Sequence, residues 1–285
     1  MNSFVIKLCQ ISGKQISIGE PIVNATMPDG SRLQATLGFE ITARVSSFTI
    51  RKFREDPFTP VDMIKMGTCG VDMMVYLWMG IENNKNMLFA GGTASGKTTM
   101  LNAVSLFLPF QAKVVSIEDT RELVLHNDNW ISALTRDSFM VGGLGEISMF
   151  ELLKTAMRQR PEYLIVGEVR GEEALTLFQA MSTGHASYST IHAGDLPDVI
   201  NRLESEPINV PHSMLQALDI LCLQVNIVHK DKRVRRTRQI VEITGLDPIT
   251  ENIRINEIFR WNPVHDNFKP SSNSYIFNLI MQERG

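Results

Sequence analysis

Apolar and polar residues follow two different rhythms along the chain, and the change falls near residue 60. Before it, residues 21–27 and 31–38 form two short runs separated by Pro28, Asp29 and Gly30, a turn tripeptide that reads as the tip of a β-hairpin. Residues 46–53, SSFTIRKF, alternate as a third strand. The whole of 1–53 reads as strand and turn rather than helix, and three strands make too thin a layer to fold unaided. The segment opens abruptly, so the chain is expected to begin inside a small β-rich α+β domain. REDPFTP at 54–60, with its two prolines, is the linker, and 61–285 is the second domain.

After the linker the pattern predicts short helices at 61–66 and 71–83, the second apolar round most of its circumference and so packed under the body of the second domain. From Asn86 short apolar runs alternate with helical patterns: strands at 87–90, 112–117, 163–166 and 186–191, and helices at 99–108, 147–158, 172–181, 195–206 and 212–218. That order predicts an α/β domain with a parallel sheet. Beyond Ile220, alternating runs at 222–228, 235–243 and 253–259 predict antiparallel strands on the sheet edge.

Between the first of these strands and its helix lies GGTASGKT, residues 91–98, which fits G-x-x-x-x-G-K-[ST] in the strand, loop and helix context a phosphate-binding loop requires. Gly91, Gly92 and Gly96 let the backbone curl so that the N–H groups of the loop, with Thr93, Ala94, Ser95 and Thr99, face an anion at a helix N-terminus. Lys97 reaches the β- and γ-phosphates as a point charge, and the hydroxyl of Thr98 supplies one ligand to Mg²⁺. The reading is a nucleoside triphosphate site.

Composition narrows the partners. A net charge of −3 carries no basic signature that would make nucleic acid the main partner. Cys9, Cys69 and Cys222 are odd in number and far apart, which suits a reducing cytoplasm rather than a disulfide framework. The longest apolar run, 73–81, is bounded by Asp72 and Glu82 and falls short of the roughly 20 residues of a membrane crossing. The first ten residues include Lys7 and lack a small-residue cleavage site, so any membrane association is expected to be peripheral, through a protein partner.

In an open parallel sheet ligands sit at the carboxyl ends of the strands. Three strands here end in suitable polar residues: Glu118 with Asp119, Glu168, and His192. Carboxylates at such positions can hold Mg²⁺ through water or orient the attacking water. His185 and His192 lie seven apart on either side of a strand, so they are not near neighbours and do not form a zinc pair. Arginines could stabilise charge on a transferring phosphoryl group: Arg32, Arg44 and Arg51 in the first domain, and Arg121, Arg158, Arg160 and Arg170 in the second. Spacing does not choose among them. The run KDKRVRRTR, 230–238, carries six basic residues in nine and reads as a solvated hairpin turn rather than a nucleic-acid patch.

These motifs together resemble the secretion ATPase superfamily, the hexameric motors of type II secretion, type IV pili, type IV secretion and archaeal flagella. GGTASGKT looks like its Walker A, VVSIEDTREL (114–123) its Asp box, LLKTAMRQRPEYLIVGEVRG (152–171) its Walker B region with Gly-Glu where Asp is usual, and QAMSTGHASYSTIHAG (179–194) its His box. The wording of the Walker B region and the tail VEITGLDP, with INEIFRWNP after it, are most similar to the archaeal branch.

The resemblance implies a RecA-like domain with ATP and Mg²⁺ at Lys97 and Thr98, Glu118 polarising the attacking water, Glu168 as the Walker B acid and His192 near the γ-phosphate. It places Arg121, Arg170 and His185 on the nucleotide side, His185 toward a subunit or sensor contact. It also implies arginine fingers after a G-x-R turn and in a T-I-R strand, here Arg32 and Arg51, nineteen residues apart, with Arg44 a third. Family members have a longer N-terminal region and a helical tail past the equivalent of Ile280, and this chain reads as lacking both.

The expectation is a Mg²⁺-dependent ATPase, working as a homo-hexameric ring whose neighbours supply arginines at a cleft between the two domains. It would serve a polytopic membrane platform protein that builds pilus-like or archaellum-like filaments. The alternatives are a RecA-like DNA translocase and a truncated ATP-binding assembly module without turnover.

Overall fold

The computed structural model describes residues 1–38, 41–42, 45–136 and 145–284. Arg44 lies outside the described residues. The chain divides into two compact units, Met1–Asp56 with Thr120–Glu122, and Pro57–Asp119 with Leu123–Gly285.

The first unit opens with a helix, α1 (Asn2–Ile11), which puts Val5, Leu8 and Cys9 on one buried stripe. This corrects the all-strand reading of the segment. The helix has neither a side-chain N-cap nor an acid in its first turn, so the usual starting signals are missing from the sequence. Strands β1 (Ile22–Thr26), β2 (Arg32–Thr36) and β3 (Ser47–Arg51) come next as an antiparallel sheet in that order. The hairpin turns at Gly30, with φ +82°, where Ser31 donates through its N–H to Asp29 Oδ1 at 2.9 Å. Val23, Leu33, Ala35 and Ile16 join the stripe of α1 in a small core.

The second unit begins with α2 (Pro60–Lys65), started by a capping box between Thr59 and Asp62 with Pro60 in the first turn, and α3 (Val71–Glu82). Then come β4 (Met87–Gly91), α4 (Lys97–Ser105), β5 (Val114–Glu118), β6 (Trp130–Leu134), α5 (Met149–Arg158), β7 (Tyr163–Val166), α6 (Glu173–Ser182), β8 (Ala186–Ile191) and α7 (Leu196–Glu204). A 3₁₀ turn at His212–Ala217 stands where the pattern predicts an α-helix. It leads into β9 (Ile220–His229), β10 (Lys232–Leu246), β11 (Ile253–Asn262), β12 (Asn267–Pro270) and α8 (Tyr275–Arg284).

Among the described residues these strands form one sheet of nine, ordered β12-β11-β10-β9-β4-β8-β7-β5-β6. From β9 to β6 every pairing is parallel, and from β9 to β12 every pairing is antiparallel. The α/β class and the antiparallel edge are as the sequence pattern predicts.

Strand β4 is buried at all five positions because both faces of the sheet are covered. Met87 and Phe89 face one core with Leu77, Ile81, Met100 and Leu101, while Leu88 and Ala90 face the other with Leu177, Phe178 and Leu221. Burial of a side chain the size of Phe89 contributes on the order of 2–3 kcal/mol. The phosphate loop is therefore anchored to a deeply packed strand. The three cysteines are buried and free of disulfides.

Candidate nucleotide-binding site

The loop between β4 and α4 takes its shape from what surrounds it. A Cβ on Gly91 would lie 2.4 Å from both the Gln224 carbonyl oxygen and Ser95 Oγ, so only glycine can leave the strand there. Gly92 has nothing within 4 Å of the equivalent position, which keeps one side of the loop open. Gly96 takes φ +95° and caps α4 without a side chain, leaving the first N–H groups of the helix for an external acceptor. Lys97 folds back over this opening, its Nζ 3.3 Å from the Gly92 carbonyl and 3.3 Å from His192 Nδ1. The other ring nitrogen of His192 lies 3.4 Å from Thr93 Oγ1. Thr98 and Thr99 are half-buried on the first turn of α4. Open glycine backbone, uncapped helix N–H groups and one ammonium fit a polyphosphate.

Since β4, β5, β7 and β8 are parallel, their carboxyl ends share one edge. Glu118 is the last residue of β5, Glu168 comes two residues after the end of β7, and His192 directly after β8. All three stand on the edge that carries the phosphate loop. Glu118 is 2% exposed and accepts from the Leu123 N–H at 3.0 Å through Oε1. A Cβ on the neighbouring Gly167 would come within 3.2 Å of Glu118 Cγ, so glycine at 167 makes room for this carboxylate. Glu168 accepts from Arg170 Nε at 3.0 Å, and Arg170 Nη1 reaches Asp119 Oδ2 at 3.3 Å. Buried Glu173 fixes the turn beneath, accepting the N–H groups of Arg170 at 2.6 Å and Gly171 at 2.9 Å. Thr190 Oγ1 donates to the Gly167 carbonyl at 2.8 Å, tying the end of β7 to β8. The edge thus combines three acids with Lys97, Arg170 and His192, a mixture suited to holding phosphate oxygens and a divalent cation together.

The structure does not bring every expected residue there. His185 precedes β8, at the amino edge of the sheet, where its Nδ1 lies 3.2 Å from Thr183 Oγ1. Seven residue steps at roughly 3.3 Å each put about 23 Å between it and His192. Its neighbour on that edge is Asn86, which accepts from the Ser187 N–H at 2.9 Å and whose own N–H donates to Asp219 Oδ2 at 2.7 Å. Burial raises the pKa of Asp219 above the usual carboxylate range. Arg158 and Arg160 also precede a strand, β7, and share that remote edge.

Arg32 and Arg51 belong to the first unit, together with Arg121 in the segment Thr120–Glu122. Within that unit Arg32 Nε donates to Thr120 Oγ1, and Arg51 Nη1 pairs with Glu122 Oε1 at 2.9 Å.

One contact to the loop has no counterpart in the sequence pattern. Arg235 Nε donates to the Ala94 carbonyl at 2.9 Å, although the run that contains it reads as a solvated hairpin. Its neighbour Arg236 is 7% exposed and forks onto both oxygens of Asp266 at 2.8 Å. The basic composition of the run is the available signal; the strand pairing that aims it at the loop is non-local.

The model of the type II/IV secretion system protein family matches residues 7–244. An uncharacterised protein of Methanocaldococcus jannaschii, MJ1287, is 50% identical over 223 residues, covering 78% of this chain and 82% of its own. A probable conjugal transfer protein TrbB of Sinorhizobium fredii is 31% identical over 236 residues, 80% of this chain and 69% of its own. Two further proteins of the same archaeon are longer, and the chain spans 48% and 26% of them. Among solved structures, the VirB11 ATPase of the Brucella suis type IV secretion system superposes with a TM-score of 0.51 at 22% identity, over 84% of this chain and 78% of that one. The shared architecture is the RecA-like α/β fold. With most of its length matched and the loop, strand-end acids and histidine arranged on that fold, the chain belongs to the type II/IV secretion system protein family.

Proposed function

We propose that this protein is a Mg²⁺-dependent ATPase that powers a secretion or filament-assembly machine. One observation carries the reading: Lys97 and His192 meet at 3.3 Å over the phosphate loop, on the sheet edge where Glu118 and Glu168 also stand at their strand ends. The loop N–H groups and Lys97 grip the β- and γ-phosphates, and His192 stands beside the γ-phosphate. Glu118, buried and held by the Leu123 N–H, orients the attacking water and accepts its proton. Thr98 and Glu168 are the residues that would hold Mg²⁺, which would supply positive charge to offset the charge developing on the phosphates.

Arg32 and Arg51 lie outside the unit that carries the loop, which supports a role as fingers offered to a neighbouring copy. The protein then works as a ring, of six on the family resemblance. No described helix is long and apolar enough to cross a membrane. The proposed location is the cytoplasm, at the face of a polytopic membrane platform protein. Conjugal transfer, the activity named for the relative TrbB, supports export across a membrane rather than a metabolic role.

A DNA translocase gains little support from the basic run, because Arg235 and Arg236 are already engaged by Ala94 and Asp266. ATP hydrolysis measured against protein concentration, with Lys97→Ala as control, tests the proposal. Specific activity rising with concentration supports shared sites. Nucleotide binding without turnover at every concentration would leave a non-catalytic assembly module.

A further inference from the structure

The phosphate loop contains one residue that its conformation does not suit. Ala94 sits at φ +57°, the left-handed region that a side chain disfavours and glycine tolerates. On the loop itself Thr93 and Ala94 are exposed and Gly92 faces open space, and one long bond spans the residue, the Ser95 N–H donating to the Gly92 carbonyl at 3.3 Å. The shorter contact, made to Ala94 itself, comes from 141 residues further along the chain, where Arg235 Nε donates to the Ala94 carbonyl at 2.9 Å. The same side chain lies under the end of the loop, its Cδ 3.2 Å from where a Cβ on Gly96 would stand.

The strand that presents Arg235 is unusually well fixed for a segment at the sheet margin. Arg236 Nη1 donates to the Arg235 carbonyl at 2.9 Å while its Nε and Nη2 fork onto Asp266. The Thr237 N–H donates to the Thr68 carbonyl at 2.6 Å, in the turn between α2 and α3. Gln224 Nε2 donates to Thr237 Oγ1 at 2.9 Å, and the carbonyl of the same Gln224 is the atom that forces glycine at 91. Arg235 therefore extends from a backbone tied on three sides, and its guanidinium reaches the loop.

We propose that Arg235 is a positioning residue for nucleotide binding, which holds Ala94 in the left-handed conformation and so keeps the loop's N–H groups turned toward the phosphates. This rests on the reading of residues 91–98 as a triphosphate site. Arg235 acts through the loop backbone, so its effect falls on binding: without it the loop spends part of its time in other conformations, and apparent affinity drops by the fraction lost. Once phosphates fill the loop they hold it themselves, and turnover at saturation is retained.

The test compares wild type, Arg235→Gln, Arg235→Lys, Ala94→Gly, the double variant Ala94→Gly/Arg235→Gln, and Lys97→Ala as a non-binding control, in Mg²⁺-ATP titrations and steady-state hydrolysis. Arg235→Gln is expected to raise the Kd and KM for ATP about five- to tenfold, with kcat within about twofold of wild type, the range expected for one charge-assisted bond at an exposed loop. Arg235→Lys recovers part of the affinity. In the Ala94→Gly background, where no side chain opposes the conformation, Arg235→Gln should cost no more than about twofold. Unchanged affinity in Arg235→Gln overturns the proposal, as does an equal loss with or without Ala94→Gly, which would mark a hairpin disturbed as a whole. Failure of wild type itself to bind ATP above the Lys97→Ala control would instead remove the triphosphate reading on which the proposal rests.

Discussion

Arg32 and Arg51 are direct register partners on adjacent antiparallel strands, so two guanidinium groups nineteen residues apart in sequence stand side by side on one face of the small sheet. Opposed like charges destabilise a strand pair unless anions are close. Here Glu122 takes Arg51 and Thr120 takes Arg32. The pairing puts both side chains on one face of the sheet, where the proposed finger role would use them together.

The expected consequence is a kinetic signature. Arg51→Ala should leave ATP affinity within about threefold of wild type and lower kcat roughly a hundredfold or more, as for other removals of charge stabilisation in phosphoryl transfer. The comparison is made on assembled rings by steady-state kinetics; unaltered kcat would remove the finger role.

Glu242 is fully buried on β10 and organises the start of α8. Its carboxylate accepts from Tyr76 OH at 2.8 Å, Asn256 Nδ2 at 3.0 Å, the N–H groups of Tyr275 at 2.8 Å and Ile276 at 3.2 Å, and the Ser274 hydroxyl. Burial, and after it the nearby carboxylate, pushes the Tyr76 phenol far above its usual range, so that it remains a donor. Glu242→Ala strands these donors in the interior and should cost on the order of 2–4 kcal/mol in urea unfolding. Hydrogen exchange across residues 275–284 should accelerate with it. Glu242→Gln, which keeps the volume and one acceptor oxygen, should cost less.

His212 bonds through Nδ1 to Glu204, and its Nε2 lies 2.8 Å from the Glu251 carbonyl. The Glu204 bond, then the Glu251 carbonyl, raise its pKa above the ordinary 6.5. A histidine raised on folding lends stability that is complete below about pH 6.5 and is lost as pH climbs through the raised value. Thermal melts between about pH 5.5 and 8.5 should show this decline in wild type and a flatter profile in His212→Gln. An identical slope in both would show that His212 is not its source.

The site is legible in the sequence where chemistry and geometry are local. A strand, a glycine loop and a helix are contiguous, so residues 87–105 can be read directly. Glu118, Glu168 and His192 come from one rule, that parallel strands present their carboxyl ends together. Elements without a clean period escape such a reading. Strand β6 is half-buried at nearly every position and shows no alternation; it is held by pairing with β5 and by Trp130 Nε1 donating to Ser116 Oγ at 2.8 Å. Helix α8 carries Ile276 and Ile280 into the core while Tyr275, Phe277 and Met281 stay exposed, so its apolar residues mark no single face. His185 shows the opposite error. Its spacing from His192 already puts the two at opposite ends of a strand, and the family pattern alone draws it toward the nucleotide. Arg235 is out of reach because its target is set by how β9 pairs with both β4 and β10.

In the proposed function Lys97 and Glu118 serve one ATP molecule, the first gripping its phosphates and the second directing water. Phosphate release with Mg²⁺-ATP, measured alongside nucleotide binding in wild type, Lys97→Ala and Glu118→Gln, tests this most directly. Glu118→Gln is expected to bind ATP as wild type does yet hydrolyse it roughly a hundredfold or more slowly, while Lys97→Ala loses binding and turnover together. Hydrolysis at the wild-type rate by Glu118→Gln would contradict it.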